Sequence, residues 1–382
     1  TAVSGRFQRL ILPGLAFKPV VSGGGYATGR ELAEFFLPSG PWGGIAGMLL
    51  TMVVWSVVCA VTFLLARAIG ARDYRTFFKH LLGRGWVLFE AAYLGLVVVV
   101  LAVFGAATGE LCRTMFGWPP LLGTVLLVAL IAAVVLAGND AVERLFKYMS
   151  IFLYLVYAVA AILMLTHFGD RMVAQFDAAQ GFGEGWALNG LTYAGYNIIG
   201  GIAILPVLRH MLSRRDAVFA GLLAGPLAIL PAIVFFICMV AYAPGIGDEP
   251  LPSDFLLGQV GMPWFHLVFR IMILTALIET GVAMVSSIDA RASAAWKERT
   301  GVPPASRARF ALIVGVLLLT VFLADAIGLV ALIASGYRLL AYALLATYVL
   351  PLLTYGLWWL WRHRHVADVG IPAAVAEPRG VS

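Results

Sequence analysis

Charge is what this chain has least of. Only 12% of its 382 residues are Asp, Glu, Lys or Arg, against roughly 25% in soluble domains. Hydrophobic residues make up 62% and mean hydropathy is +0.94, which excludes an ordinary soluble domain and predicts a polytopic membrane protein embedded in a lipid bilayer. Cysteine is equally sparse: Cys59, Cys112 and Cys238 lie in or beside apolar segments without CxxC spacing, so they read as small buried hydrophobes rather than a disulfide or metal framework. HExxH and GxSxG are absent, and His80, His167, His210, His266, His363 and His365 show no metal-ligand spacing. No enzyme chemistry, cofactor or metal is therefore expected. Repeated filter loops and rings of like charge, which would mark a channel, are missing too. The first apolar stretch runs into Lys18, a glycine run and Arg30-Glu31, unlike the short uninterrupted core of a cleavable signal. The net charge of +6 sits between apolar segments rather than on one face, so it gives no nucleic-acid role.

What the chain does have is long apolar segments. Ten can be counted, near 7–37, 42–69, 86–112, 120–138, 141–167, 189–210, 215–243, 264–292, 307–324 and 337–361, with a short apolar stretch at 327–334. The polar segment 168–188 divides the chain into a first half, 1–167, and a second half, 189–361, leaving 362–382 as a tail. Basic residues test the count, because cytoplasmic loops collect Lys and Arg. Arg67, Arg72, Arg75, Lys79 and Arg84, then Arg144 and Lys147, Arg209, Arg214 and Arg215, and Arg291, Lys297, Arg299, Arg307 and Arg309 all fall on one side. The opposite loops hold Arg113 and Arg171, with Arg338 near the last of them. Ten spans with both termini in the cytoplasm of a bacterial-type inner membrane are expected.

Two spans are interrupted. Gly23-Gly24-Gly25, with Pro19 upstream, disfavour continuous helix by about 1 kcal/mol per glycine, so the first span is expected to break and to restart near Tyr26. In the sixth, Tyr193-Ala194-Gly195-Tyr196-Asn197-Ile198-Ile199-Gly200-Gly201 places Asn and a Gly pair mid-span. A break at membrane depth is tolerable only where protein or a water-filled cavity satisfies the freed backbone. Five spans per half give the halves opposite orientations, each opening on its broken helix, the pattern of an inverted repeat with a midplane site between the breaks.

These residues carry a resemblance. Gly24-Gly25-Tyr26-Ala27-Thr28-Gly29-Arg30-Glu31 resembles the Gly-Ala-Gly-Phe-Ala-Ser/Thr-Gly-Gln-Glu stretch of the YkvI-like membrane proteins, and Tyr193-Ala194-Gly195-Tyr196-Asn197 resembles their Tyr-Ala-Ser-Tyr-Asn stretch. The layout is similar to the LeuT-like fold of the amino acid, polyamine and organocation superfamily. The resemblance implies an all-α integral membrane protein of ten spans, a 5+5 inverted repeat with discontinuous helices 1 and 6, acting as a secondary transporter of a small solute. It does not supply the substrate, and Arg30 in place of Gln and Lys18-Pro19 depart from the pattern.

The expected solute cradle comprises Gly23, Gly24, Gly25, Tyr26 and Thr28 at the first break and Tyr193, Tyr196, Asn197, Gly200 and Gly201 at the second, with Tyr93 of the third span. Glycines also permit close helix packing, and each tyrosine alone also suits an interface. Lys18 is an intramembrane ammonium whose expected partner is Glu279 or Thr280 of the eighth span. In sodium-coupled members of the fold a second sodium lies between spans one and eight, so the Lys18 ammonium in that place implies coupling to protons or to nothing; a static ion pair and snorkelling are the alternatives. Arg30 either pairs with Glu34 at i,i+4 or closes a gate against Glu31, Glu110 or Asp325. Glu90, one turn from Tyr93, is placed to face the site, and Arg270 lies at a boundary. A ligand sensor built on the same fold remains the rival to transport.

Overall fold

The computed structural model describes residues 27–71, 73–137, 139–203 and 213–363. The described chain is helical. A six-residue helix, α1 (Arg30–Phe35), starts after Gly29 and ends in a tight turn at Leu37–Ser39. Next come α2 (Gly40–Ile69), α3 (Tyr74–Leu82), α4 (Trp86–Phe116), α5 (Pro120–Leu136) and α6 (Asn139–Ala178). The second half contains α7 (Trp186–Asn197), α8 (Gly200–Ala203), α9 (Arg214–Val240), α10 (Pro252–Gln259), α11 (Pro263–Thr300), α12 (Ser306–Ile327) and a helical run α13 (Leu329–Arg362). Among the described residues seven helical segments are long and apolar enough to cross a membrane, and Pro120–Leu136 is shorter.

Local chemistry sets the ends. Asp73 caps α3 by accepting from the Thr76 N–H, and Ser213 and Asp216 form a reciprocal capping box on α9. Prolines open α5, α10 and α11, where the missing N–H costs nothing. The breaks that matter for function are of two kinds. Gly29 takes a left-handed φ of 72°, separating Ala27-Thr28 from α1. Ile198-Ile199 is a turn between α7 and α8. The sixth span is interrupted where expected, whereas the break expected at Gly23-Gly24-Gly25 lies outside the described residues; Ala27 and Thr28 are helical, and Gly29 separates them from α1.

The core is built by close approach of α2 and α9. A Cβ placed on Gly221 would lie 2.3 Å from the Ala60 Cα, and one on Gly225 would lie 2.3 Å from both the Met52 carbonyl oxygen and Ser56 Oγ. An adjoining face of α2 holds α7: Thr51 Oγ1 donates to the Gly190 carbonyl at 2.9 Å, and Trp55 Nε1 donates to the Ala194 carbonyl at 3.2 Å. Small residues let the backbones meet, and hydroxyl and indole donors fasten them without water. The outward faces of α6, α12 and α13 instead expose Ile151, Leu155, Phe322, Leu339 and Leu350, as a lipid-facing surface requires.

Three elements differ from the sequence expectation. The basic linker after the second span contains α3, whose Phe77, Phe78 and Leu81 are buried while its basic residues face away. The fifth span continues to Ala178, into the segment expected as loop; Phe168 and Met172 are buried there, and Arg171 lies 5.0 Å over the Tyr242 ring. Ile327 ends α12, and residues 329–334 of the short apolar stretch join the last span through a π-type turn at Leu332–Tyr337, with further π-type turns at Leu345–Val349 and Leu352–Gly356.

Candidate functional site

The short helix α1 is held on three sides. Ser253 Oγ, at the start of α10, donates to the Ala27 carbonyl at 2.5 Å, occupying backbone freed by the Gly29 turn. Arg30 Nη1 donates to the carbonyls of Gly247 and Glu249 at 2.6 and 3.0 Å, and its Nη2 donates to Glu34 Oε2 at 2.9 Å. Arg30 thereby ties α1 to the loop between α9 and α10. Its i,i+4 pairing with Glu34 is present, and its hydrogen bonds go to neither Glu31 nor Glu110.

Glu31 points the other way, into the protein. Its Oε2 accepts a 2.6 Å hydrogen bond from the Tyr196 hydroxyl on α7, and both residues are buried, at 4% and 3% exposure. That bond joins the two interrupted spans directly. Around it stand aromatic rings: Tyr337 at 4.6 Å from the Tyr196 ring, Tyr193 at 5.5 Å and Phe35 at 5.7 Å. Trp55 and Phe36 back Tyr193 at 5.8 and 4.9 Å. The Tyr337 hydroxyl is buried and has no hydrogen-bond partner among the described residues.

Of the residues expected in the cradle, Tyr193 and Tyr196 stand in this group, and Thr28 and Asn197 flank the two interruptions. Thr28 Oγ1 accepts from the Arg30 N–H at 3.4 Å, and Asn197 Nδ2 donates to the Tyr193 carbonyl at 3.2 Å, closing the last turn of α7. Gly200 opens α8, and a Cβ on the adjoining Gly201 would lie 3.3 Å from the Tyr348 hydroxyl. Gly23, Gly24, Gly25, Tyr26 and Lys18 lie outside the described residues. Tyr93 is placed elsewhere: its hydroxyl is 3.1 Å from Ser287 Oγ, and the Arg291 guanidinium lies 3.8 Å from its ring. Glu90 joins that group at the α3 end of the bundle, bonding Arg291 and the Tyr74 hydroxyl. Glu279 and Thr280 sit half-buried on α11, with Glu279 within electrostatic reach of Tyr154 on α6.

Glu110 pairs with Arg113 and lines a separate cleft of about 310 Å³ at the α10 end, together with Thr114, Glu249, Asp254, His266 and Arg270. Asp254 accepts from Arg270 at 2.6 and 2.9 Å and lies 2.7 Å from His266 Nε2. Burial pushes the Asp254 carboxyl up, but the hydrogen bonds and charges of His266 and Arg270 outweigh it and hold the group below the usual carboxylate range. Among the described residues, no group of three or more His, Cys, Asp or Glu side chains is placed to hold a metal ion.

Sequence reasoning passed over Tyr337, Ser287 and the Asp254–His266 pair. Tyr337 sits in a π-type turn that shifts its direction, which helical periodicity does not reveal. The acid-containing loop before the eighth span and Arg270 were visible signals for the Asp254 cluster.

No family model matches the chain. The membrane protein YkvI of Bacillus subtilis (strain 168), itself uncharacterized, is 24% identical over 330 residues, covering 85% of this chain and 90% of that protein. Among solved structures, a substrate-bound, outward-open Na+-coupled sialic acid symporter is similar at a TM-score of 0.64 and 13% identity, over 90% of this chain and 79% of that one. The inward-facing conformation of Mhp1 gives 0.58 at 17% identity, over 91% and 76%. A manganese transporter of Eremococcus coleocola, bound to an aromatic bis-isothiourea compound, gives 0.54 at 18%, over 89% and 77%. At these identities the likeness is one of fold. The chain is a multi-pass membrane protein, similar to YkvI through most of its length, with the all-helical LeuT-type fold and its discontinuous helices 1 and 6.

Proposed function

We propose that the protein is a secondary active transporter of a small polar solute, amino-acid-like or amine-containing, working by alternating access around a site between the two interrupted spans. The observation that supports this reading is the buried Glu31–Tyr196 hydrogen bond, which links span one just past the Gly29 turn to span six just before the Ile198-Ile199 turn. Broken helices at membrane depth leave backbone groups to be satisfied by a solute or ion, and transporters of this fold put their sites there. Coupling to protons, or none, suits an acidic group at that position better than a dedicated sodium site. The side of the membrane that collects Lys and Arg is taken as cytoplasmic, which puts α10 and its cleft outside and both termini inside a bacterial inner membrane.

Counterflow tests this. Solutes that raise the melting temperature of the purified protein are selected from amino acids, amines and nucleobases, then loaded unlabelled into proteoliposomes. Transient accumulation of external labelled solute is expected. A ligand that stabilises the protein but never accumulates would make it a sensor instead.

A further inference from the structure

Among the described residues Glu31 has one hydrogen-bond donor, where an ionised carboxylate has room for about four. Among the described residues, the charged groups on the neighbouring elements make their contacts elsewhere than at Glu31. On its own helix, Arg30 is bound to Glu34 and to the carbonyls of Gly247 and Glu249. On α13, Arg338 lies 6.0 Å over the Phe35 ring, and its Nε donates to the Ala334 carbonyl. At the α10 end, Asp254 is paired with His266 and Arg270, and Glu110 with Arg113. From α7 and α13 the groups facing Glu31 are the phenols of Tyr196 and Tyr337, with the Tyr193 ring packed on Tyr196, and the α2 and α9 faces contribute Trp55 and Phe236 to the aromatic backing. Among the described residues, then, no cation is bonded to this carboxyl. A buried charge of this kind is costly in a membrane and marks a functional group that takes up a proton or a cation.

The second observation is Tyr337. Its hydroxyl is fully buried, has no hydrogen-bond partner among the described residues, and is near enough to Glu31 to feel its charge. An unused phenol beside an under-satisfied carboxyl, with the rings of Phe35, Tyr193, Tyr196 and Tyr337 around them, offers an ammonium group what it needs. It has a counter-charge, hydroxyl oxygens to accept N–H bonds, and aromatic faces for cation–π contact.

We infer that Glu31, Tyr196 and Tyr337 form a binding site for the ammonium group of the solute, and that the ammonium and a proton occupy Glu31 alternately. The exchange balances: an organic cation arrives, the carboxylic acid loses its proton to water, and the carboxylate pairs with the cation; departure of the cation reverses this. The proposal rests on the transport reading and makes it an exchange of amine against protons.

Three probes share one alkyl skeleton: isopentylamine, L-leucine and 4-methylpentanoate. They are added to the purified full-length chain in weakly buffered detergent containing a pH indicator. The amine or the amino acid is expected to bind with release of about one proton, while the carboxylate alone releases none. Affinity is expected to fall about tenfold for each pH unit of acidification in the range where the proton competes. Glu31→Gln is expected to abolish proton release and weaken binding at least tenfold, and Tyr337→Phe to weaken binding several-fold. Asp177→Asn, an exposed carboxyl at the end of α6, is expected to match wild type. The wild-type proton count and pH dependence need no variant, so a poorly folding Glu31→Gln does not blunt the test. Absence of binding by both ammonium probes, binding without proton release, or equal binding by Glu31→Gln would overturn the proposal. Proteoliposomes separate the two readings. If labelled L-leucine moves equally in wild type and Glu31→Gln, transport stands and the exchange site falls. If proton-releasing binding persists but no solute moves, the site stands and transport falls.

Discussion

The Arg291 guanidinium on α11 reaches across to Glu90 on α4, Nη1 to Oε2, at 2.9 Å. Tyr74 and Tyr93 sandwich it, with ring centroids 3.6 and 3.8 Å from its central carbon. One planar cation thus ties α3, α4 and α11 together at the end of the bundle opposite the α10 cleft. Arginine serves here because it stacks on two rings and still offers in-plane N–H donors. Arg291→Ala is expected to destabilise the protein by about 2 kcal/mol, since it strands a half-buried Glu90 and removes two ring contacts. Arg291→Lys should recover only part of that, because an ammonium keeps the charge but not the stacking. Thermal melting of both variants in the same detergent checks the order.

Arg30 is a mechanical tie as well as a charge. Its two contacts with the carbonyls of Gly247 and Glu249 fix the loop ahead of α10 on α1. With Arg30→Ala the loop should loosen, so a cysteine placed at Gly247 is expected to alkylate several-fold faster than in the Arg30 background. The background is low because Cys59, Cys112 and Cys238 are all buried. Equal rates would mean that other contacts hold the loop.

Asp254 gives a pH dependence whose sign follows from its lowered affinity for protons. A carboxyl depressed in the folded state stabilises fully above its unfolded value of about 3.9 and loses that contribution as pH falls through the folded value. Asp254→Asn should therefore melt below wild type at neutral pH, and the gap should close as the pH is lowered below about 4. A gap that persists at low pH would assign the loss to packing instead.

Gly221 tests the core. A methyl group there would sit 2.3 Å from the Ala60 Cα, which is backbone and has nowhere to move. Gly221→Ala is expected to cost about 3 kcal/mol, at the upper end for overpacking, and to lower the melting temperature more than Gly169→Ala, where a Cβ meets nothing within 4 Å.

Much of the architecture was legible in the sequence because lipid makes strict demands. Span number follows from apolar length and from the basic residues between spans, and the break after Asn197 follows from the Asn and Gly pair at its centre. Rotation about each helix axis was not legible. Tyr93 lies on a helix read correctly, but the face it presents is set by Ser287 and Arg291 of α11, far away in sequence. Glu31 was read as a gate beside Arg30, yet successive helical residues point about 100° apart. Arg30 therefore meets the loop while Glu31 meets Tyr196. The helix α3 was hidden by its basic residues, whose surroundings disguised the apolar face of Phe77, Phe78 and Leu81. Tyr337 escaped because a π-type turn adds a residue to the repeat on which helical periodicity depends.

Solute protection of engineered cysteines tests most directly whether the two breaks share one solute. Cysteines are placed singly at Thr28 and at Asn197 in proteoliposomes, and alkylation is timed from each side of the membrane with and without a stabilising solute. Both positions are expected to be reached from either side as the protein cycles, and both to be protected with the same dependence on solute concentration. Protection at one position alone, or at neither, would contradict a shared site between spans one and six.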